Sequence, residues 1–252
     1  MNHRSQKLAD LLKLSRELGN PRAPLAILGE GNTSARLSDD RLLVKASGST
    51  LATLTAKDVV ECRTAALLDM LDMELSDAEV EKGLLASRVN PGDPKPSVES
   101  LFHAWLLAVP GVEFVAHAHP PMVNSVLCSP RAREFATKRL FPDEIVCCDV
   151  EAVLVPYVDP GLPLARAIRA RVKQFIQKYS RPPRVVLLQN HGVITVGRTT
   201  ESVLAAMLMA EKAAGIWLGA ATLGGPVFMS PKQVARISTR ADEAFRRARL
   251  EK

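Results

Sequence analysis

Two of the five histidines of this chain, His117 and His119, stand in the stretch EFVAHAHPP at positions 113 to 121. Ahead of them the apolar period is two: Val112, Phe114 and Ala116 alternate with Glu113, Val115 and His117, which predicts a strand running into His119. Side chains at i and i+2 of a strand point to the same side, roughly 7 Å apart at Cα, and that spacing lets two imidazoles bind one metal ion. Zinc held by three neutral imidazoles keeps a fourth position open for substrate, so a third histidine is expected at another strand end. His191 is the candidate. The run RVVLLQNHGVITVG is rich in β-branched residues and broken by Asn190, His191 and Gly192, where glycine permits a turn or a close approach of backbone. Any one of these histidines alone reads as a hydrogen-bonded structural imidazole; the three together read as a metal site. His103, one turn after Glu99, reads as structural or as a support behind the site, and His3 as exposed.

The elements that must carry these residues alternate between helix and strand, with no repeat and no low-complexity linker. Leu8, Leu11, Leu12, Ser15 and Leu18 fall at helical spacing over 5–18 and end at Gly19 with Pro21 behind it, an amphipathic opening helix. Thr33, Ala35 and Leu37 alternate with polar neighbours, the chain turns at Asp39 and Asp40, and Leu42 to Ala46 resumes, so a hairpin is expected. A strand at Val59 to Cys62 and helices over 64–72 and 77–87 follow, the second opened by a Ser76/Glu79 capping box. NPGDPKP reads as a loop rather than a domain boundary. Ser97 is then expected to cap a helix that carries Leu101, Trp105 and Ala108 on one face, with Glu99 in its first turn and Pro110 and Gly111 at its end. Two further helices are expected near 200–222 and 231–249. The pattern predicts one α/β domain over residues 1–252, three αβα layers with a mixed, largely antiparallel central sheet.

Composition narrows the classes. A chain of 252 residues buries a sizeable core without staples. Its apolar runs fall short of about 18 residues and MNHRSQKLADLLKLSRELG mixes charges into its leucines, so neither a membrane span nor a secretory signal is expected and the location reads as cytoplasmic. Cys62, Cys128, Cys147 and Cys148 have neither framework nor CxxC spacing and read as structural free thiols. The net charge of +6 is spread over helix-like segments and aromatics are few, which argues against nucleic-acid binding.

Five motifs in a fixed order resemble the class II aldolase/adducin family over residues 6 to 240: Gly31, Asn32, Thr33 and Ser34; Ser47 and Gly48 within VKASGS; PSVESLFH; HAHP; and QNHG. VKASGSTLATLT, FPDEIV and VPYVDPGLPLARAI resemble more narrowly the aldolase part of bifunctional rhamnulose-phosphate aldolase/dehydrogenase proteins. No GxGxxG follows a strand, so no nicotinamide chemistry is expected. The resemblance implies Zn2+ or another divalent ion on His117, His119 and His191, a hydroxyketone chelating the open position, and Glu99 as the catalytic acid/base. It implies phosphate binding at Asn32, Ser47, Gly48 and Ser97, where backbone amides and short hydroxyls can cradle an anion, although ordinary turn and cap chemistry would use the same residues.

Two departures from the family pattern stand out. Val98 replaces a second serine common in the sugar-phosphate aldolases, which removes a phosphate hydrogen bond. Between the zinc pair and VPY, where fuculose-phosphate aldolase has a tyrosine reaching across a subunit boundary, the chain offers Phe135 and Phe141; Tyr157 is a candidate for that role, its alternative a half-buried aromatic at a strand end. The expected activity is a zinc-dependent lyase reaction on a carbon-carbon bond of a hydroxy-carbonyl compound, first a retro-aldol cleavage of a sugar phosphate. Decarboxylation of a 3-oxo acid is the alternative, with dehydratase and epimerase relatives behind it, and a non-catalytic adducin-like assembly domain is the reading from another class. Expected partners are a small-molecule substrate and further copies of the chain, as a homotetramer; no membrane and no nucleic acid are expected.

Overall fold

In the computed structural model, which describes residues 2–23 and 25–251, the chain opens with helix α1 (His3–Leu18), started by Asn2, whose side chain accepts the amide of Ser5. Of the expected face Leu11, Ser15 and Leu18 are buried and Leu8 and Leu12 partly so, with Leu14 buried beside them. The expected hairpin follows as β1 (Asn32–Arg36) and β2 (Arg41–Lys45), then β3 (Val59–Arg63) and helices α2 (Thr64–Met70) and α3 (Asp77–Ser87). The Ser76/Glu79 capping box forms, with the Ser76 amide donating to the Glu79 carboxylate at 2.8 Å. Helix α4 (Ser100–Leu107) leads into β4 (Phe114–Ala118).

Three short helices come next, α5 (Pro121–Leu127), α6 (Ala132–Thr137) and α7 (Pro142–Cys148), before β5 (Val153–Val155) and the long α8 (Leu162–Tyr179). Strands β6 (Val185–Leu188) and β7 (Gly192–Gly197) flank the Asn190–His191 turn, and α9 (Thr200–Thr222) crosses back over the sheet. The helix expected over 231–249 is two, α10 (Pro231–Thr239) and α11 (Ala241–Leu250), because Arg240 is extended (ψ 137°) and α11 restarts with Asp242 and Glu243 in its first turn.

Among the described residues seven strands form one sheet in the order β3-β2-β1-β4-β7-β6-β5. Every neighbouring pair is antiparallel except β5 and β6, which are parallel and joined by α8 as their crossover. The mixed, largely antiparallel sheet is therefore the one expected. Strand alternation divides the core between two faces. Ala35, Leu43, Phe114, Ala116 and Val193 pack with α1, α5, α6 and α9; Val44, Val60, Val115, Ile194 and Val196 pack with α2, α4 and α8. His117 shares the parity of Val115 and belongs to the α4 side. Helix α9 is apolar and long enough to cross a membrane by length and composition, yet Val203, Ala206, Met207, Ala210, Ala214 and Trp217 are buried in the first of these clusters. Its apolarity has a core to explain it.

Candidate metal centre

Register brings the site together. In the β1/β4 pairing Asn32 lies opposite His117, so both side chains leave the sheet on the α4 side, and α4 itself starts above them. His119, one residue past the end of β4, keeps the parity of His117. His191 arrives from the turn between β6 and β7, with Asn190 in the left-handed region (φ 55°) and the His191 carbonyl held by the Asn124 amide at 3.0 Å. Gly192 has no room for a side chain: a Cβ there would lie 2.6 Å from the Ala118 carbonyl oxygen and 2.6 Å from Cδ2 of His119. That glycine is what lets the third imidazole approach the other two.

The three histidines form a cluster whose ligand nitrogens all lie within 4.8 Å of one another. Nε2 of His117 and Nε2 of His119 are 3.0 Å apart, near the separation of about 3.3 Å that a tetrahedral ion with zinc-nitrogen bonds of about 2.0–2.1 Å imposes. His117 donates from Nδ1 to the Val193 carbonyl at 3.0 Å, which turns its Nε2 to the cluster. The centroids of the His191 ring and the other two lie 5.0 and 5.1 Å apart. A tri-histidine site compatible with a divalent metal ion is present. Burial, and then neighbouring His117, push the His191 imidazole down to about 4, and the same two causes lower His119. Both are held neutral, the form that binds a metal. For His117 burial acts downward too and is the largest single influence, but the Glu99 charge together with the hydrogen bonds to Glu99 and to the Val193 carbonyl outweighs it and the imidazole is raised.

Glu99 stands over this cluster. Its Oε1 is 3.3 Å from His117 Nε2 and 3.7 Å from His191 Nε2, while Oε2 accepts from the Asn32 amide at 2.6 Å. The sequence places Ser97 at the helix cap and Glu99 in the first turn. Instead Glu99 is itself the N-cap residue of α4 and makes no side-chain cap hydrogen bond; its carboxylate is turned to the imidazoles. Burial drives its pKa up, but the His117 charge and the hydrogen bonds from His117 and Asn32 prevail and hold the carboxyl well below the usual range.

Asn32 also donates to Ser97 Oγ at 3.0 Å, and that hydroxyl accepts the Glu99 amide at 3.3 Å. A bridge between Ala46 and Pro96 sets the Ser47–Gly48 turn beside Ser97. The turn is exposed, with Gly48 at φ 77°, and the Ser47 amide is already given to the Lys95 carbonyl at 2.8 Å. Tyr157 is not half-buried as expected. It lies two residues past β5, 56% exposed, its hydroxyl bonded to Asp159 at 3.1 Å. Phe135 is buried against Trp217.

The structure adds residues that pattern alone does not mark. Glu30 places Oε1 3.7 Å from Nδ1 of His119. Lys45, 2% exposed, donates to the Ser49 carbonyl at 2.6 Å and the Gly29 carbonyl at 3.4 Å beneath the two loops; burial lowers its pKa against the pull of Glu99 and Asp58. The glycines around Glu30 mark its loop, and strand parity marks Lys45 as anomalous on a buried strand, but neither sequence signal names a role. His103 is fully buried behind the site, bonded to Ser34 Oγ at 2.7 Å, stacked on Phe102, and pushed by burial down to about 3; His3 is exposed, as expected. A cleft of about 410 Å³ lined by Lys138, Tyr179, Arg181, Met229 and Val234 shares no residue with the histidine cluster.

Residues 9–218 match the family described as the class II aldolase and adducin N-terminal domain. The chain belongs to this family. Among curated proteins it is similar to a 3-oxo-tetronate 4-phosphate decarboxylase of Haemophilus influenzae, 28% identical over 170 residues that cover 67% of each chain. It is 27% identical over 183 residues to the uncharacterized oxidoreductase YuxG of Bacillus subtilis, but that alignment covers 69% of this chain and 24% of the relative, so the chain spans a quarter of that protein's length. The solved N-terminal class II aldolase domain of a conserved Thermoplasma acidophilum protein superposes with a TM-score of 0.67 at 26% identity, covering 84% of this chain and 93% of that one. Fold, family and the clustered histidines of a class II aldolase thus agree.

Proposed function

We propose that the protein is a zinc-dependent lyase that cleaves a carbon-carbon bond in a phosphorylated hydroxy-carbonyl compound, a retro-aldol reaction being the first reading. The observation that carries it is the convergence of three neutral-capable Nε2 atoms with one ionised, uncapped carboxylate, Glu99, whose second oxygen is held by Asn32. His117, His119 and His191 would hold the ion, taken as zinc because three imidazoles with one open position are a known catalytic zinc set. When bound, the ion supplies Lewis-acid stabilisation of negative charge developing on a substrate oxygen.

The protein's own groups do the rest. Glu99, ionised at neutral pH and released from the helix end, takes and returns the proton as the bond breaks. Asn32 orients that carboxylate. Ser97, Ser47 and Gly48 receive the anionic end of the substrate; with the Ser47 amide engaged, that end is met by the hydroxyls and the exposed Gly48 backbone. Val98, 37% exposed beside Ser97, makes this cradle poorer in donors than a two-serine version. Tyr157, exposed past β5 with its hydroxyl on Asp159, is the aromatic offered to a substrate at this site or at that of a neighbouring copy. The reading carries with it a cytoplasmic homotetramer with sites near subunit boundaries.

A second reading is favoured by the decarboxylase likeness at 28% identity: the same metal centre and proton carrier serve loss of carbon dioxide from a phosphorylated 3-oxo acid. Incubating metal-loaded protein with 2-ketose phosphates and with 3-oxo acid phosphates, while aldehyde and carbon dioxide are monitored separately, tests both. Aldehyde release supports the first reading and carbon dioxide release the second. Neither product from any candidate, with the ion bound, contradicts the lyase assignment.

A further inference from the structure

The loop before β1 is pinned at both ends to the backbone that carries the first two imidazoles. The backbone amide of His119 donates to the Leu25 carbonyl at 3.0 Å. Gly31, at φ 72°, passes so close that a Cβ there would lie 2.7 Å from the His117 carbonyl oxygen. Between these two anchors the chain makes a tight turn over Ile27, Leu28, Gly29 and Glu30, closed by the Glu30 amide donating to the Ile27 carbonyl at 3.0 Å. Leu28 sits at the tip, 78% exposed and in the left-handed region at φ 52°, a conformation that a leucine adopts only when its surroundings impose it.

One side chain spans the turn and the imidazole. Oε2 of Glu30 accepts the Ile27 amide at 3.1 Å, and Oε1 faces Nδ1 of His119 at 3.7 Å. With Nε2 of His119 committed to an ion, the one proton of the neutral ring resides on Nδ1, which points at Glu30. A movement of under about 1 Å closes that gap to hydrogen-bond length. The same carboxylate would then hold the ring and the turn together. Lys45 fixes the base of the turn by donating to the Gly29 carbonyl.

We infer that Glu30 is a positioning residue for His119 that couples metal loading to the conformation of the turn at residues 27–30. The inference rests on the metal centre proposed above. Its consequence is a coupling: with the metal site filled, the His119–Glu30 contact would tighten, and the turn that leads through Gly31 into Asn32 would be held in the arrangement that the anionic end of a substrate meets. An unloaded protein keeps a looser turn and a poorer anion cradle.

Zinc affinity by competition with a chromophoric chelator, together with amide hydrogen exchange over residues 25–32, tests this on the full chain. In wild type, zinc slows exchange at the amides of 27–30. In Glu30→Gln, zinc affinity falls about 10- to 100-fold, the usual effect of removing a carboxylate behind a ligating histidine, and zinc no longer slows exchange in the turn. Glu30→Asp, which keeps the charge one methylene further back, loses less affinity, and it decides the matter with the wild-type exchange data if Glu30→Gln does not fold. Wild type that binds no zinc overturns the metal centre itself. Wild type that binds zinc, with Glu30→Gln binding it equally well or showing equal protection of the turn, leaves the metal centre standing and overturns the coupling.

Discussion

At the scale of single residues, Glu99 and Gly192 decide what the site can do. A carboxylate at a helix N-terminus has an ordinary structural use, stabilising the helix dipole. Glu99 occupies that place but makes no cap hydrogen bond, and its oxygens go to His117, His191 and Asn32. Glu99→Gln keeps the size of the side chain and removes its basicity. Turnover is expected to fall at least about 10²-fold while zinc content, measured by elemental analysis, stays at the wild-type level because three imidazoles remain. Turnover at the wild-type rate would reassign the proton transfer. Gly192 makes a different demand. The Cβ of Gly192→Ala would lie 2.6 Å from the Ala118 carbonyl oxygen and 3.0 Å from Cε1 of His117, so backbone or rings must shift. A loss of roughly 1–3 kcal/mol in stability is expected by denaturant titration, together with weaker zinc binding. Weaker stability with unchanged zinc affinity would show that the turn does not set the third ligand.

Elements place those residues, and the strap between α1, β1 and β4 shows how. Glu113, just ahead of β4, receives Lys7 of α1 at 2.8 Å and Nε of Arg36 of β1 at 3.0 Å. Burial alone would raise its carboxyl pKa, but the hydrogen bonds from Arg36 and Lys7 prevail and lower it. A depressed carboxyl stabilises the fold above its unfolded value and loses that contribution as pH falls through its folded value. Glu113→Gln should therefore lower the thermal midpoint at neutral pH, with a difference from wild type that shrinks below about pH 4. A constant difference down to acid pH would assign the effect to packing. What was legible from sequence follows the same physics. The hairpin, α1, α3 with its capping box, and the strands carrying the histidines announce themselves by period or by cap. Helices α5, α6 and α7, of seven residues or fewer, are too short for a period to accumulate, and their starts at Pro121 and Pro142 look like loop signals. The split at Arg240 was hidden because both helices share one amphipathic pattern. Within the site, His117, His119 and His191 were readable from spacing and from a polar interruption of apolar runs, and Glu99 through the family's order of motifs. Glu30 was not, since its meaning depends on a loop folding back from another part of the chain onto His119.

For the whole molecule, one sheet with helices on both faces explains why the chemistry gathers where it does. Central strands β1, β4 and β7 lie side by side, and each ends or turns at one place on the α4 side, bringing Asn32, His117, His119 and His191 within reach of one helix start. A fold used for assembly alone has no need of three imidazoles gathered beside an ionised glutamate that makes no cap hydrogen bond. In the proposed reaction, an ion at those imidazoles is essential to bond cleavage. The direct test is a titration of metal-free protein with zinc while aldehyde or carbon dioxide release from the best substrate is followed. Product formation should be absent at the start, rise in proportion to added zinc and level off at about one ion per chain, the stoichiometry of a single tri-histidine site. Full turnover by protein freed of divalent metal would contradict the account.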